Sequence, residues 1–355
     1  MKFRKPQIEL RTSPHVRGAD DVVIIMRNVV LALLPIAAWS VWLFGLSALV
    51  LIVTVTLSCM LTERFFDWMG GRENTLGDWS AAITGLLMAL TLPPGFPLWM
   101  GVVAAVSGIG LGKALFGGLG MNVMNPALIG RAFVQAAFPV SITTWTPAYF
   151  DGRFTSFIPT TLTPPFMIPP SIGEWVEGVR VDAFSGATPL AVQKFDGVQA
   201  PLMDMFMGVS SGSVGETSAF LILICGLYLA VRKFMDWRIP VYVMLGAVLT
   251  ALPFYLLDAA KYPDPIFVLA SGGLMLGAWF MASDMVGSPL TPKGILIYGL
   301  MIGFLTVMIR LFGGLTEGVM YAILFGNAMV PLIDKYTQPR TFGGGPKSQQ
   351  GRKAS

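Results

Sequence analysis

Leu115-Phe116-Gly117-Gly118-Leu119 and Leu311-Phe312-Gly313-Gly314-Leu315 are the same five residues, 196 positions apart. In the same register Val123 meets Val319, Met124 meets Met320, Leu128 meets Leu324, Gly130 meets Gly326, Ala132 meets Ala328 and Val134 meets Val330. Eleven of the 21 positions from 114 to 134 are thus identical to their counterparts. Working outward, apolar segments recur near 24–44, 46–62, 80–92, 97–116 and 125–139, before a polar, Pro-rich interval at 140–214. Five more follow it, near 216–231, 239–257, 265–283, 294–312 and 317–333. Five crossings per half is an odd number, so the second half is turned over relative to the first, the inverted-repeat architecture of many transporters. The expected fold is an all-α polytopic membrane protein of about ten transmembrane helices in two inverted five-helix repeats, with one long periplasmic loop.

Composition agrees. Of 355 residues 54% are hydrophobic and 12% charged, with a mean hydropathy of +0.68. Soluble domains carry roughly 25% charged residues, and a lipid-facing surface accounts for the deficit. Segments 80–92 and 125–139 are shorter than a bilayer span and close on Pro93-Pro94 and Pro139. They read as helices broken near the midplane, which is tolerated where they line a protein-buried cavity. No short apolar region with a cleavage site follows the polar start, so no cleaved signal peptide is read.

The expected organisation is a cytoplasmic N-terminal segment (1–21), a first membrane repeat (22–139), the periplasmic loop (140–214), a second repeat (215–334) and a cytoplasmic tail (335–355). With both termini in the cytoplasm, 18 of the 24 Lys and Arg fall inside and five outside, Arg310 among the five, while Arg131 lies within a span. That asymmetry follows the positive-inside rule. The net charge of +4 therefore reflects topology and implies no nucleic-acid partner.

Several chemistries are excluded. The single histidine, His15, in the polar N-terminal segment, argues against a His-ligated haem or zinc site. Cys59 and Cys225 both sit in apolar runs and form no metal-ligand cluster. No dinucleotide fingerprint, P-loop or iron–sulfur cysteine set is present, so the chain is not catalytic alone. Gly108 and Gly112 are spaced for close helix packing.

The external loop contains Asp182-Ala183-Phe184-Ser185-Gly186-Ala187-Thr188. Alone, Ser-Gly-Ala-Thr is an ordinary small-residue turn; its weight comes from its place in a loop outside a ten-helix body. Asp-Ala-x-Ser-Gly-Ala-Thr resembles the flavinylation motif of redox-pump subunits, in which a transferase joins FMN to the last threonine by a phosphoester. The stretch from Phe116 to Phe133 resembles the Gly-Gly…Asn-Pro-Ala-x-x-Gly-Arg-Ala-Phe signature of one family. That family comprises RnfD, the D component of the Rnf ion-translocating oxidoreductase, and the related B component of the sodium-translocating NADH:quinone oxidoreductase. Ser13-Pro14-His15-Val16-Arg17 and Met281-Ala282-Ser283-Asp284-Met285-Val286 are similar to it as well, and the likeness covers most of 11–334. Met285 departs from the proline common there. The short N-terminus and Gly-Gly-Leu-Gly look more like RnfD.

The resemblance implies a flavin-carrying subunit of an ion-translocating oxidoreductase in the bacterial inner membrane, relaying electrons between ferredoxin and NAD modules coupled to Na⁺ or H⁺ transport. It implies covalent FMN at Thr188, with Asp182, Ser185, Gly186 and Ala187 as its motif, and a second, noncovalent flavin (riboflavin). Partners are the other subunits, a flavin transferase and membrane lipid. Arg131 has three open readings: a cation facing a flavin or the cavity at the repeat junction, a snorkelling arginine, or a clasp on broken-helix carbonyls. An Arg131→Leu change is expected to spare folding. Asn122 and Asn125 either help hold an anionic group at a helix N-terminus or simply cap it before Pro126. Asp284 is an ion-pathway carboxylate or a cap. The competing classes are the quinone-linked B component and a small-solute channel of inverted-repeat architecture; the latter leaves the Ser-Gly-Ala-Thr loop unused.

Overall fold

A computed structural model of the chain describes residues 21–339 except 74, 174, 176–186, 217 and 260. Among the described residues the regular elements are all helices. They are α1 (Val22–Phe44), α2 (Leu46–Met69), α3 (Ser80–Leu90), α4 (Leu98–Ile109), α5 (Pro126–Ala137) and α6 (Pro139–Ile142). Then come α7 (Pro189–Asp196), α8 (Leu202–Met207), α9 (Ala219–Val231), α10 (Arg238–Leu257), α11 (Pro265–Ala270), α12 (Leu274–Leu276), α13 (Pro292–Phe312) and α14 (Val319–Thr337). A single π turn extends α4 through Gly110–Ala114, and another extends α12 through Gly277–Met281.

The starts of these helices are written in the sequence. Asn125, Thr188 and Thr291 each precede a proline, and each side-chain oxygen accepts a backbone N–H of the first turn, from Ala127, Ala191 and Gly294 respectively. A polar N-cap followed by proline at the first helical position satisfies free donors and presets the backbone. Gly45 separates α1 from α2 at φ +70, and its Cα lies against the Arg153 carbonyl where a Cβ has no room.

Helices α1, α2, α10 and α13 are long and apolar enough to cross a membrane, and α3, α4 and α9 are shorter apolar helices. Leu31, Leu57, Leu249 and Phe304 point outward from the long ones. The chain is a multi-pass membrane protein whose exterior is apolar.

Each apolar segment read from the sequence contains helix, and α3 and α5 are as short as expected, with 11 and 12 residues. The segment 265–283 is not one helix. It stops at Ala270, turns through Ser271-Gly272-Gly273 with Gly272 at φ +60, and restarts at Leu274.

Small residues set the helix spacing. A Cβ on Gly246 of α10 would lie 2.7 Å from the Leu300 carbonyl oxygen of α13, and one on Gly112 would lie 2.8 Å from Pro126 Cα at the start of α5. Backbones therefore touch, as Gly108 and Gly112 foretold. The first and second halves meet where α1 packs on α9 and α5 on α14.

The repeated pentapeptide does not repeat its backbone. Gly117 and Gly118 have φ of +115 and +110, whereas Gly313 has φ −76.

Candidate functional site

Thr188 is the N-cap of α7. Its Oγ1 accepts from Ala191 N at 3.3 Å, and the residue is buried. Helix α7 is fastened at three points. Lys194 Nζ donates to the carbonyls of Gly313 and Leu315, Leu190 fills the space left by the missing side chain of Gly272, and Ser211 Oγ donates to Ala187 O at 2.8 Å. The threonine borders a small cavity whose other walls include Ser211, Gly212, Glu216, Ser271, Gly272 and Glu317. Asp182, Ser185 and Gly186 lie outside the described residues.

An ion cluster forms part of that cavity. Arg131 of α5 donates from Nη2 to Glu317 Oε2 at 2.8 Å and from Nη1 to Glu216 Oε1 at 3.5 Å. Arg310 of α13 donates from Nη1 to Val268 O at 2.7 Å and from Nη2 to Ser271 O at 3.0 Å. Those carbonyls are left open where α11 breaks, and a guanidinium is the side chain best shaped to close two of them at once. Glycine is required beside them: a Cβ on Gly273 would stand 2.6 Å from Glu216 Oε1.

The other broken helix reaches the same place. Val214 N donates to Leu92 O and Gly215 N to Leu90 O, which ties the residues before Glu216 to the end of α3.

Two arginines face two glutamates here, and Arg131 is buried with its charge compensated. The clasp on broken-helix carbonyls exists, but Arg310 supplies it. Arg310 is also not an external-loop residue: it lies in the last turn of α13, 6% exposed. Glu216 and Glu317 carried no site expectation. Their only signal in the sequence is that each opens an apolar segment, at 216–231 and 317–333.

A second, larger cavity is lined by Asn122, Asn125, Lys113, Ser80, Trp279 and Asp284 among others. Asn125 caps α5 with Oδ1 and reaches with Nδ2 toward Met281 O at 3.4 Å, joining the two halves. Asn122 Nδ2 donates to Met124 O, and Asp284 Oδ1 accepts from Val286 N. Lys113, one of the 18 Lys and Arg assigned to the inside, is buried in the π turn after α4, where its Nζ donates to Glu63 Oε1 and Ser80 Oγ.

Helix α3 runs from this cavity at Ser80 to the Thr188 cluster at Leu90, and α9 runs back from beside Glu216 to Leu229. At 1.5 Å per residue those helices put the two sites roughly 15–20 Å apart. The structure thus links Arg131 to the Thr188 cavity through Glu216 and Glu317, and puts Asn125 in the other one.

Polar and charged groups gathered inside an apolar helical body mark a membrane protein that handles charge or a polar cofactor within the bilayer. The family is plain from comparison. Residues 9–343 match the NQR2, RnfD, RnfE family, and the chain belongs to it. It is 39% identical over 353 residues to the D component of the proton-translocating ferredoxin:NAD(+) oxidoreductase complex of Clostridium ljungdahlii, covering 96% of this chain and 98% of that one. It is 38% identical to the D component of the Na(+)-translocating ferredoxin:NAD(+) oxidoreductase complex of Acetobacterium woodii, covering 95% of each. It is also 38% identical to the D component of the ion-translocating oxidoreductase complex of Stutzerimonas stutzeri, covering 90% of this chain and 91% of that one.

Proposed function

We propose that this chain is the flavin-carrying membrane subunit of an ion-translocating ferredoxin:NAD oxidoreductase, passing electrons between two flavin sites within a multi-subunit complex. The observation that carries the reading is the position of Thr188. Its hydroxyl ends the flavinylation-like motif, stands at the amino end of α7 and borders a polar cavity. A phosphodiester there meets the free N–H groups and positive dipole of the helix, which suit an anion. Ser211 and Gly212 border the same cavity beside the hydroxyl. FMN, when bound, supplies one- and two-electron chemistry; the chain would hold its phosphate, with the cluster of Arg131, Arg310, Glu216 and Glu317 beside the cavity.

The larger cavity suits a noncovalent flavin such as riboflavin. Asn122, Asn125 and Asp284 offer hydrogen-bond partners to a ring edge, and Trp279 offers an aromatic surface. A small-solute channel leaves both the motif and this aromatic-lined cavity without purpose. All three relatives are D components of their complexes, which favours that role over the quinone-linked B component.

The finer architecture belongs to the same reading: ten spans in two inverted halves, both termini cytoplasmic, in a bacterial inner membrane. Reporter fusions within 160–175 are expected to read the external side and fusions at 235 or 340 the cytoplasm. A cytoplasmic signal at 165 would overturn the helix count and the place of flavin transfer together.

Because Thr188 is only 3% exposed, a transferase reaches its hydroxyl while α7 is undocked. Loosening the Lys194 contact to Gly313 and Leu315 is then expected to speed the transfer. Lys194→Ala, purified without flavin and given transferase and FAD, whose pyrophosphate is cleaved so that FMN goes to the threonine oxygen and AMP leaves, should gain in-gel fluorescence several times faster than the parent. An unchanged rate would mean that docking does not limit access.

A further inference from the structure

Within the long loop, residues 154–173 form a run of twenty residues without a single charge. Its tip is Pro164-Pro165-Phe166-Met167-Ile168-Pro169-Pro170. Phe166 and Ile168 are each 93% exposed and Met167 61%. Three consecutive large apolar side chains exposed at a loop tip are unfavourable in water.

The height of this tip is fixed by the residues just before it. Ile158 N donates to Ser47 Oγ at 2.9 Å, Thr160 Oγ1 donates to Gly95 O at 2.5 Å, and Leu98 N donates to Thr161 O at 3.2 Å. Residues 158–161 are thereby stitched to the start of α2 and to the α3–α4 turn, at the level where the helices end. The tip begins three residues further on.

The same end of the molecule carries a band of aromatic rings. Trp99, at the start of α4, packs edge-on against Phe138 at 5.2 Å and tilted against Phe166 at 5.6 Å. Across the helix ends, Trp42 stands 6.2 Å from Phe154, and the Arg153 guanidinium lies over both and over Tyr149. Amphipathic aromatic rings collect at the membrane–water boundary. Val102 and Val106 on α4, Phe133 on α5 and Val140 on α6 are exposed apolar side chains of the neighbouring helices.

The backbone of the tip suits an environment poor in water. Four of its seven residues are prolines and have no N–H to desolvate. Of the remaining three, Met167 N is bonded to Pro164 O. That bond closes a turn with Pro165 and Phe166 at its centre, and Phe166 sits at φ +66, where glycine is usual. A bulky residue in the left-handed region is a strained choice; here the turn points the ring outward, over the apolar face of α4 and α5.

We propose that residues 164–170 lie in the boundary between headgroups and acyl chains of the adjoining leaflet, so that this part of the long loop is seated in lipid and not in water. The chemistry recognised is the uncharged upper acyl region of a phospholipid; the segment offers no charge to select a headgroup.

The test is p-benzoylphenylalanine placed at Phe166, and separately at Ile168, in the full chain within its native membranes. Cells are grown with an alkyne-bearing fatty acid and irradiated. The expected result is the alkyne label on this chain, at its own mass, from both positions, and none from the same residue placed at Asp196 on α7. A crosslink that shifts the chain to the mass of a protein pair would show that another polypeptide covers the tip, and would overturn the proposal. Absence of any lipid adduct at both positions, with the chain present in the membrane at its normal level, would place the tip in water and overturn it equally.

Discussion

Arg131→Leu is expected to remove the protein from the membrane rather than to slow it. Leucine suits lipid and packed helices, and on that ground alone the change looks harmless. The structure reverses that expectation, because Arg131 is the guanidinium that both Glu216 and Glu317 face. Removing one partner of a buried ion pair leaves an uncompensated charge and costs about 3–5 kcal/mol. Here two carboxylates lose their direct partner, and Arg310 is already committed to Val268 O and Ser271 O. A loss of that size is a large share of a typical folding free energy. The measurement is the amount of full-length chain in membranes, with the melting temperature in detergent where enough remains. The double variant Arg131→Leu/Glu317→Gln is expected to recover much of the loss, since one carboxylate then carries no charge. Arg131→Lys should fall between, keeping the charge but not the fork that reaches two acceptors. Parental levels and melting in Arg131→Leu would show that the cluster contributes nothing to the fold.

The helices were legible because apolar runs and their punctuation are local. Asn125-Pro126 marks the start of α5, and the prolines closing 80–92 and 125–139 betrayed short elements. The break inside 265–283 was less visible. Ser271-Gly272-Gly273 sits within an apolar run, and glycines are common in packed membrane helices, so nothing local separates a hinge from a packing surface. The ion cluster was hidden for a different reason. Arg131 lies 85 residues from Glu216 and 186 from Glu317, and no periodicity links such distances. Nor does the repeat help, since the position matching Arg131 is Asn327, whose side chain instead bonds Tyr298 at 2.8 Å. Arg310 was misplaced by the same limitation: counting charges at helix ends does not tell a loop arginine from one folded back onto a broken helix.

Thr188→Ala is expected to abolish covalent flavin entirely while leaving the chain in the membrane. A denatured sample run on a gel should show yellow-green fluorescence at 38.3 kDa for the parent and none for the variant. The site demands a control, however, because Thr188 is also a helix cap. Alanine removes the acceptor for Ala191 N, a change worth about 1 kcal/mol, and that alone could loosen α7 from Lys194's contacts. Thr188→Asn separates the two roles. Asparagine caps a helix as well as threonine does but offers no hydroxyl to a phosphoryl group. If the hydroxyl is the attachment point, both variants lose the fluorescence. If capping alone mattered, Thr188→Asn would keep it. Ser185→Ala should retain most of the signal, since Ser185 is part of the motif without being its acceptor. Fluorescence persisting in Thr188→Ala or Thr188→Asn would place the flavin elsewhere, and the cavity beside Glu216 and Glu317 would need another occupant.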